Sequence, residues 1–177
     1  MQHLTDEQLI EIYQRDKDGQ GQIALGYLYD RYAKQMLNFF YFTLHNDNNK
    51  AQDFVHDLFL KIIERHNTFN NNQFFKGWIY RIASNMCKNE FRNIKVIQKY
   101  NDHIISTTEP VISNDETEIA VRKCISDLNI EQRSLIVLRF KLKLTVKEIA
   151  QIYECPEGTI KSRLFYATKE LSKLYKI

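Results

Sequence analysis

The stretch 145–163, Thr145-Val146-Lys147-Glu148-Ile149-Ala150 and then Cys155-Pro156-Glu157-Gly158-Thr159-Ile160-Lys161-Ser162-Arg163, reads as two short helices meeting at a tight turn. Thr145 followed three residues later by Glu148 forms a capping box, in which each side chain satisfies a backbone amide that the start of a helix leaves without a partner. Ile149 and Tyr153 then share one face of that helix. Pro156 suits the first turn of the second helix, because its missing N–H is not needed there. Ile160 and Leu164, four residues apart, turn toward the first helix, so Thr159, Lys161, Ser162, Arg163 and Tyr166 point outward. A protruding helix of this kind fits the major groove of duplex DNA, where Thr, Ser and Arg meet base edges and Lys meets phosphate. An ordinary helical hairpin with a solvated basic face has the same spacing.

The rest of the chain is also helical in character. Five Gly and two Pro in 177 residues, with 44% hydrophobic residues, leave few points at which a helix must stop. The net charge of +3 is unevenly spread: residues 1–94 are balanced, 95–117 carry −2 and 118–177 carry +5. A basic C-terminal third containing the helix-turn-helix favours a polyanionic partner. Cys87, Cys124 and Cys155 form no C-x-x-C pair, which indicates neither a disulfide framework nor a zinc module and suits buried thiols in a reducing compartment. No apolar run approaches the roughly 20 residues that span a bilayer, and Asp6 and Glu7 follow Thr5 where a signal peptide would need apolar residues. The expectation is a cytoplasmic protein without membrane insertion.

Along the chain, Thr5 caps a short helix through about Arg15, Gly19 and Gly21 interrupt, and a long aromatic helix begins near Ile23. A turn at 45–49 precedes a helix in which Phe54-Val55, Leu58-Phe59 and Ile62-Ile63 recur with a helical period. The Asn-rich stretch 67–73 is expected to be an exposed loop, followed by a helix from Phe74 or Phe75 to about Asn93. A Pro, weak periodicity and many Ser, Thr, Asn and Asp residues mark 95–117 as a flexible linker. Helices near 118–128, 131–142, 145–153 and 157–175 complete an all-α chain of two small helical units.

Two polar groups on the first unit stand out. On the helix from Phe75, the residues Phe75, Trp78, Ile79, Ile82, Ala83 and Met86 form a core stripe, whereas Arg81, Asn85, Lys88 and Arg92 form a polar edge. Residues 76–99 carry a local charge of +5. A cationic edge beside an Asn-rich loop and aromatics suits single-stranded nucleic acid, which needs charge along the phosphates and pockets or π-faces for unstacked bases. The second group is the acidic stripe holding Asp53 and Asp57. Paired carboxylates beside His56 would also serve a helical metal-dependent hydrolase, but such a site needs several convergent ligands and the remaining histidines lack the spacing. A docking surface for a basic partner fits better, and neither a catalytic nor a metal site is expected.

Three segments together resemble the extracytoplasmic-function (ECF) sigma factors of the sigma-70 family: Ala51-Gln52-Asp53-Phe54-Val55-His56-Asp57-Leu58-Phe59-Leu60-Lys61-Ile62, Phe75-Lys76-Gly77-Trp78-Ile79-Tyr80-Arg81-Ile82-Ala83-Ser84-Asn85, and the helix-turn-helix ending Glu157-Gly158-Thr159-Ile160-Lys161-Ser162-Arg163-Leu164. The resemblance implies a non-enzymatic, cofactor-free initiation subunit that binds core RNA polymerase and promoter DNA. It implies region 2 over 1–94, a linker over 95–117 and region 4 over 118–177. Gln52, Asp53, His56 and Asp57 would dock on the clamp helices of the largest polymerase subunit, and the second unit would meet the flap of the second-largest. Asn67, Asn70, Asn71, Asn72 and Gln73, flanked by Trp78, Arg81, Asn85, Lys88 and Arg92, would capture the melted minus-ten element. Thr159, Lys161, Ser162, Arg163 and Tyr166 would read the minus-thirty-five duplex. An anti-sigma factor is a further implied partner. The chain departs from the family pattern in carrying His56 where Gln is common, Tyr166 where Arg is frequent, and Glu154 at a turn position where Gly is common. A left-handed backbone at Glu154 would cost about 1–2 kcal/mol. A free-standing helix-turn-helix regulator is the competing reading; it would need neither the acidic face nor a single-strand site.

Overall fold

The computed structural model describes residues 1–70, 73–100, 125 and 127–175, and every regular element among them is helical. Asn71, Asn72, Cys124, most of the expected linker and the first part of the helix expected near 118–128 lie outside the described residues. The elements are α1 (Asp6–Arg15), α2 (Gly19–Thr43), α3 (Asn48–Arg65), a 3-10 turn (His66–Thr68), α4 (Phe75–Tyr100), α5 (Ile130–Ile136) running on into a π-helical turn (Val137–Lys141), α6 (Val146–Tyr153) and α7 (Glu157–Tyr175).

Each start is chemically marked. Thr5 accepts from the amide of Gln8 while the Gln8 side chain accepts from Thr5, a capping box that sets α1. Asp47 accepts from the Lys50 amide at α3, and Asn129 from the Gln132 amide at α5. Helix α2 begins four residues earlier than Ile23, where the sequence places its start. Gly19 holds φ +41°, and a Cβ on Gly21 would lie 1.5 Å from the Asp16 carbonyl oxygen, so glycine makes the sharp α1–α2 connection rather than a gap after it. Helix α4 runs to Tyr100, six residues into the segment expected as linker, since nothing between Ile94 and Tyr100 breaks a helix.

Leu9, Ile10, Leu28, Met36, Phe39, Phe40, Leu58, Ile62, Phe75 and Ile79 form the centre of the first unit, each fully buried. Burying a side chain of that size contributes roughly 1.5–3 kcal/mol. The second unit does not stand apart. Leu135, Val137, Leu138, Leu144, Ile149, Ile152, Ile160 and Leu164 belong to the same continuous apolar cluster, with α6 packed on α4 and α5 touching α2 and α4. Among the described residues, Ile125, Leu128, Ile136 and Ala167 make a separate small core. Arg133 ties the seam: its buried guanidinium donates to the carbonyl of Thr43 at the end of α2 and to those of Ile125 and Leu128 in its own unit. The two units thus share one apolar core among the described residues. The residues that unite them are separated by tens of positions and share no local pattern.

Candidate nucleic-acid interface

On α3, Gln52, Asp53, His56 and Asp57 are all exposed, while Ala51, Val55 and Leu58 between them are buried. The helical period thus assembles the acidic stripe into one solvent face, as its spacing requires. Leu60 and Ile63, also exposed, extend this side with apolar surface that sequence reasoning assigned to the core pattern or passed over.

The Asn-rich loop is anchored at its base. Gln14 donates from Nε2 to the carbonyls of His66 (2.6 Å) and Phe69 (2.9 Å), and the Glu7 carboxylate accepts from the Phe75 amide, capping α4. Asn67 and Asn70 are exposed and Gln73 is half-buried. Trp78 lies in the core stripe and beside the loop at once: it is only 5% exposed and meets Phe69 edge-on at 5.4 Å and Phe75 at 5.8 Å. It forms one wall of a cleft of about 310 Å³. Gln73, Arg81 and Asn85 line this cleft together with Lys61, Arg65, Thr68 and Asn89, which the sequence reading did not single out for this site. The i, i+4 spacing of Lys61 and Arg65 was the available signal.

Helix α4 presents its polar edge differently from the expectation of a free cationic rail. Asn85 and Arg92 are exposed. Arg81 instead pairs with Glu154 at 2.5 Å and Lys88 with Glu131 at 3.0 Å, and Lys76 joins them by pairing with Glu148 at 2.7 Å. Lys88 also lies 5.6 Å from the centroid of the Tyr153 ring. All four partners come from the second unit. The physical cause is local charge: a segment of net +5 attracts whatever carboxylates the fold brings near it. Burial tends to raise the Glu148 carboxyl, but the bonds from Lys76 and from Thr145 outweigh it and hold the group at about 2.

The residues expected to read duplex DNA lie on α7. Ile160, Leu164 and Ala167 are buried toward the core; Lys161, Ser162, Arg163 and Tyr166 are exposed, and Thr159 is half-buried. The Thr145–Glu148 capping box is present, and the turn between α6 and α7 places Glu154 at φ 48°, ψ 47°, the left-handed region. The expected cost of using Glu there is thus incurred; its carboxylate gains the Arg81 pair. Phe165, 61% exposed and 5.6 Å from the Tyr166 ring, was not anticipated. Among the described residues no group of three or more His, Cys, Asp or Glu side chains could hold a metal ion, and no described helix is long and apolar enough to cross a membrane. Burial pushes the Cys87 thiol well above its ordinary range, and Cys155 is half-buried.

Comparison with known proteins places this geometry. Residues 28–95 match the family described as Sigma-70 region 2, and residues 124–173 that described as Sigma-70, region 4. The RNA polymerase sigma-H factor of Pseudomonas aeruginosa is 29% identical over 186 residues, spanning 95% of this chain and 92% of its own length. The ECF RNA polymerase sigma-E factor of Haemophilus influenzae is 29% identical over 184 residues, spanning 94% and 93%. Among solved structures, CnrH in complex with the cytosolic domain of CnrY aligns with a TM-score of 0.67 at 19% identity, covering 97% of each chain. The sigma factor RpoE of Bartonella quintana, in complex with the anti-sigma factor NepR, aligns at 0.61 and 22% identity over 84% of this chain and 98% of that one.

Proposed function

This chain belongs to the ECF RNA polymerase sigma factors of the sigma-70 family, and from that premise we propose how its surfaces divide the work of directing core RNA polymerase to promoters. The exposed stripe of Gln52, Asp53, His56 and Asp57 docks on the clamp helices of the largest polymerase subunit, with charge steering the encounter. The cleft beside Trp78, rimmed by Lys61, Arg65 and Arg81, takes a base unstacked from the minus-ten element, while Asn85, Lys88 and Arg92 carry the strand. Helix α7 enters the major groove of the minus-thirty-five duplex through Thr159, Lys161, Ser162, Arg163 and Tyr166. Residues 1–94 are the first functional unit and 118–177 the second, with 95–117 connecting them. The second unit also meets the flap of the second-largest subunit, and an anti-sigma factor is the expected regulator. The chain itself performs no catalysis and acts where core polymerase resides, in the cytoplasm.

One observation supports this reading: the chain presents a recessed cleft rimmed by cations, the form that suits an extruded base, and a helix with an exposed polar face, the form that suits a duplex groove. The test is a holoenzyme binding titration on promoters scrambled separately at each element, at two salt concentrations. Arg163→Ala should lose minus-thirty-five discrimination by about 1–3 kcal/mol if the contact is bidentate. Lys161→Ala should weaken binding evenly across sequences and flatten the salt dependence. Loss of minus-ten preference with minus-thirty-five discrimination intact in Arg163→Ala would refute the assignment.

A further inference from the structure

We propose that Glu7 and Gln14 of α1 are positioning residues for strand capture: they fix the chain on either side of the turn that brings Thr68 and Gln73 to the cleft beside Trp78. The inference rests on the strand-capture assignment made above and adds to it the element that keeps the cleft in shape.

The two residues act at opposite ends. Gln14 Nε2 donates to the His66 carbonyl at 2.6 Å and to the Phe69 carbonyl at 2.9 Å, so one amide sets the spacing of two carbonyls where the chain leaves α3. The Glu7 carboxylate accepts from the Phe75 amide at 3.1 Å, where the chain enters α4. Glu7 and Gln14 stand two turns apart on one side of α1, and the helix spaces them by about 10 Å. The helix is itself fixed. Leu9 and Ile10 between them are fully buried, and Asp6 accepts from Arg31 at 2.7 Å and from the Tyr32 hydroxyl at 2.5 Å, both on α2. Helix α1 is therefore a rigid spacer clamped to α2 that reaches across to both ends of the turn.

Both ends shape the cleft. Phe69 and Phe75, whose backbones α1 holds, place their rings 5.4 and 5.8 Å from Trp78, the cleft wall. Thr68 lies between the two carbonyls fixed by Gln14, and the Gln73 amide donates to the Asn70 carbonyl at 2.9 Å just before the cap supplied by Glu7. Gln73 Oε1 and Arg81 Nε, an acceptor and a donor of the cleft lining, are buried and have no hydrogen-bond partner among the described residues. Such groups are costly to leave unpaired, and a base edge, which carries N–H donors beside acceptors, satisfies both. Gln73 lies outside any helix, so the order it needs to meet a base comes from the pinned ends.

The test assembles holoenzyme from core polymerase and the full-length chain as wild type, Gln14→Met, Glu7→Met or Glu7→Gln. The probe is a fluorescein-labelled single-stranded minus-ten oligonucleotide from a promoter at which the wild-type holoenzyme initiates, together with copies in which one abasic site is moved along the strand. Wild type should lose about tenfold in affinity when the abasic site falls on the captured nucleotide. Gln14→Met and Glu7→Met should each shrink that penalty to under about threefold. Glu7→Gln, which still offers an acceptor to the Phe75 amide, should keep it. Affinity for a minus-thirty-five duplex should stay within about twofold throughout. A wild-type penalty in the Met variants overturns the positioning role, and so does an equal loss for every oligonucleotide with the penalty unchanged, which is what a merely structural α1 would give. Loss of the penalty in Glu7→Gln also counts against it, because the cap survives there. Circular dichroism verifies each fold, and because the two Met variants remove different anchors, either decides the matter if the other fails to fold. Absence of any positional penalty in wild type sinks the strand-capture assignment itself, and the positioning role with it.

Discussion

Arg133 offers the sharpest test of how the chain is held together. It is 2% exposed, and its Nε, Nη1 and Nη2 donate to the carbonyls of Ile125 (3.1 Å), Thr43 (3.0 Å) and Leu128 (3.1 Å). Its guanidinium carbon lies 5.1 Å from the centroid of the Phe91 ring. Burial lowers its pKa to about 10, so it remains charged at neutral pH. Arg133→Met keeps an apolar stem and removes the cation. Three hydrogen bonds to a charged donor at about 1.5–3 kcal/mol each would suggest a larger loss, but removing the cation also relieves its own desolvation. The expected net loss is about 3–5 kcal/mol, because three buried carbonyls lose a donor at roughly 1–3 kcal/mol each and the relieved desolvation offsets part of that. Urea unfolding followed by Trp78 fluorescence measures it, and the midpoint should fall with the slope unchanged. Trp78 lies in the first unit and Arg133 in the second, so the assay also asks whether they unfold together. A loss under about 1 kcal/mol, or an unmoved Trp78 transition while helicity of the second unit melts early, would refute a shared core.

Three further outcomes are expected. Asp53→Lys with Asp57→Lys should abolish co-elution with core polymerase and leave stability within about 0.5 kcal/mol, because both carboxylates are exposed; co-elution at wild-type level would remove the docking assignment. Glu148 has a folded pKa depressed to about 2, so its contribution is fully present above pH 4.5 and is lost as pH falls toward 2; the stability difference between wild type and Glu148→Gln should shrink across that window, and a constant difference would contradict the pairing with Lys76. Phe165→Ala with Tyr166→Ala should leave unfolding midpoints nearly unchanged, since both rings are over 60% exposed, yet weaken minus-thirty-five duplex binding by the holoenzyme. Unchanged duplex binding would show that these rings lie outside the groove.

What was legible in the sequence was what short-range chemistry encodes. The Thr5 cap, the Thr145 capping box, the buried Ile160 and Leu164, the exposed acidic face of α3 and the left-handed Glu154 all follow from contacts within one or two helical turns. Pairing across the fold was not legible. Arg133 reads as a surface cation until the Thr43 carbonyl, 90 residues away, arrives beside it. Glu131 and Glu154 carry no mark that they will meet Lys88 and Arg81. Trp78 fitted two patterns at once, and it meets both, packed against Phe69 and Phe75 while forming a wall of the cleft. The end of α4 was missed because the polar composition after residue 95 outweighed the absence of any helix breaker before Tyr100.

Run-off transcription with sigma-free core polymerase and genomic promoter fragments tests the central claim most directly. The account predicts transcripts from defined start sites that appear only when this chain is added and that vanish when either promoter element is scrambled. Equal transcription with and without the chain, alongside tight binding of the isolated chain to a duplex operator, would contradict it and favour a free-standing regulator.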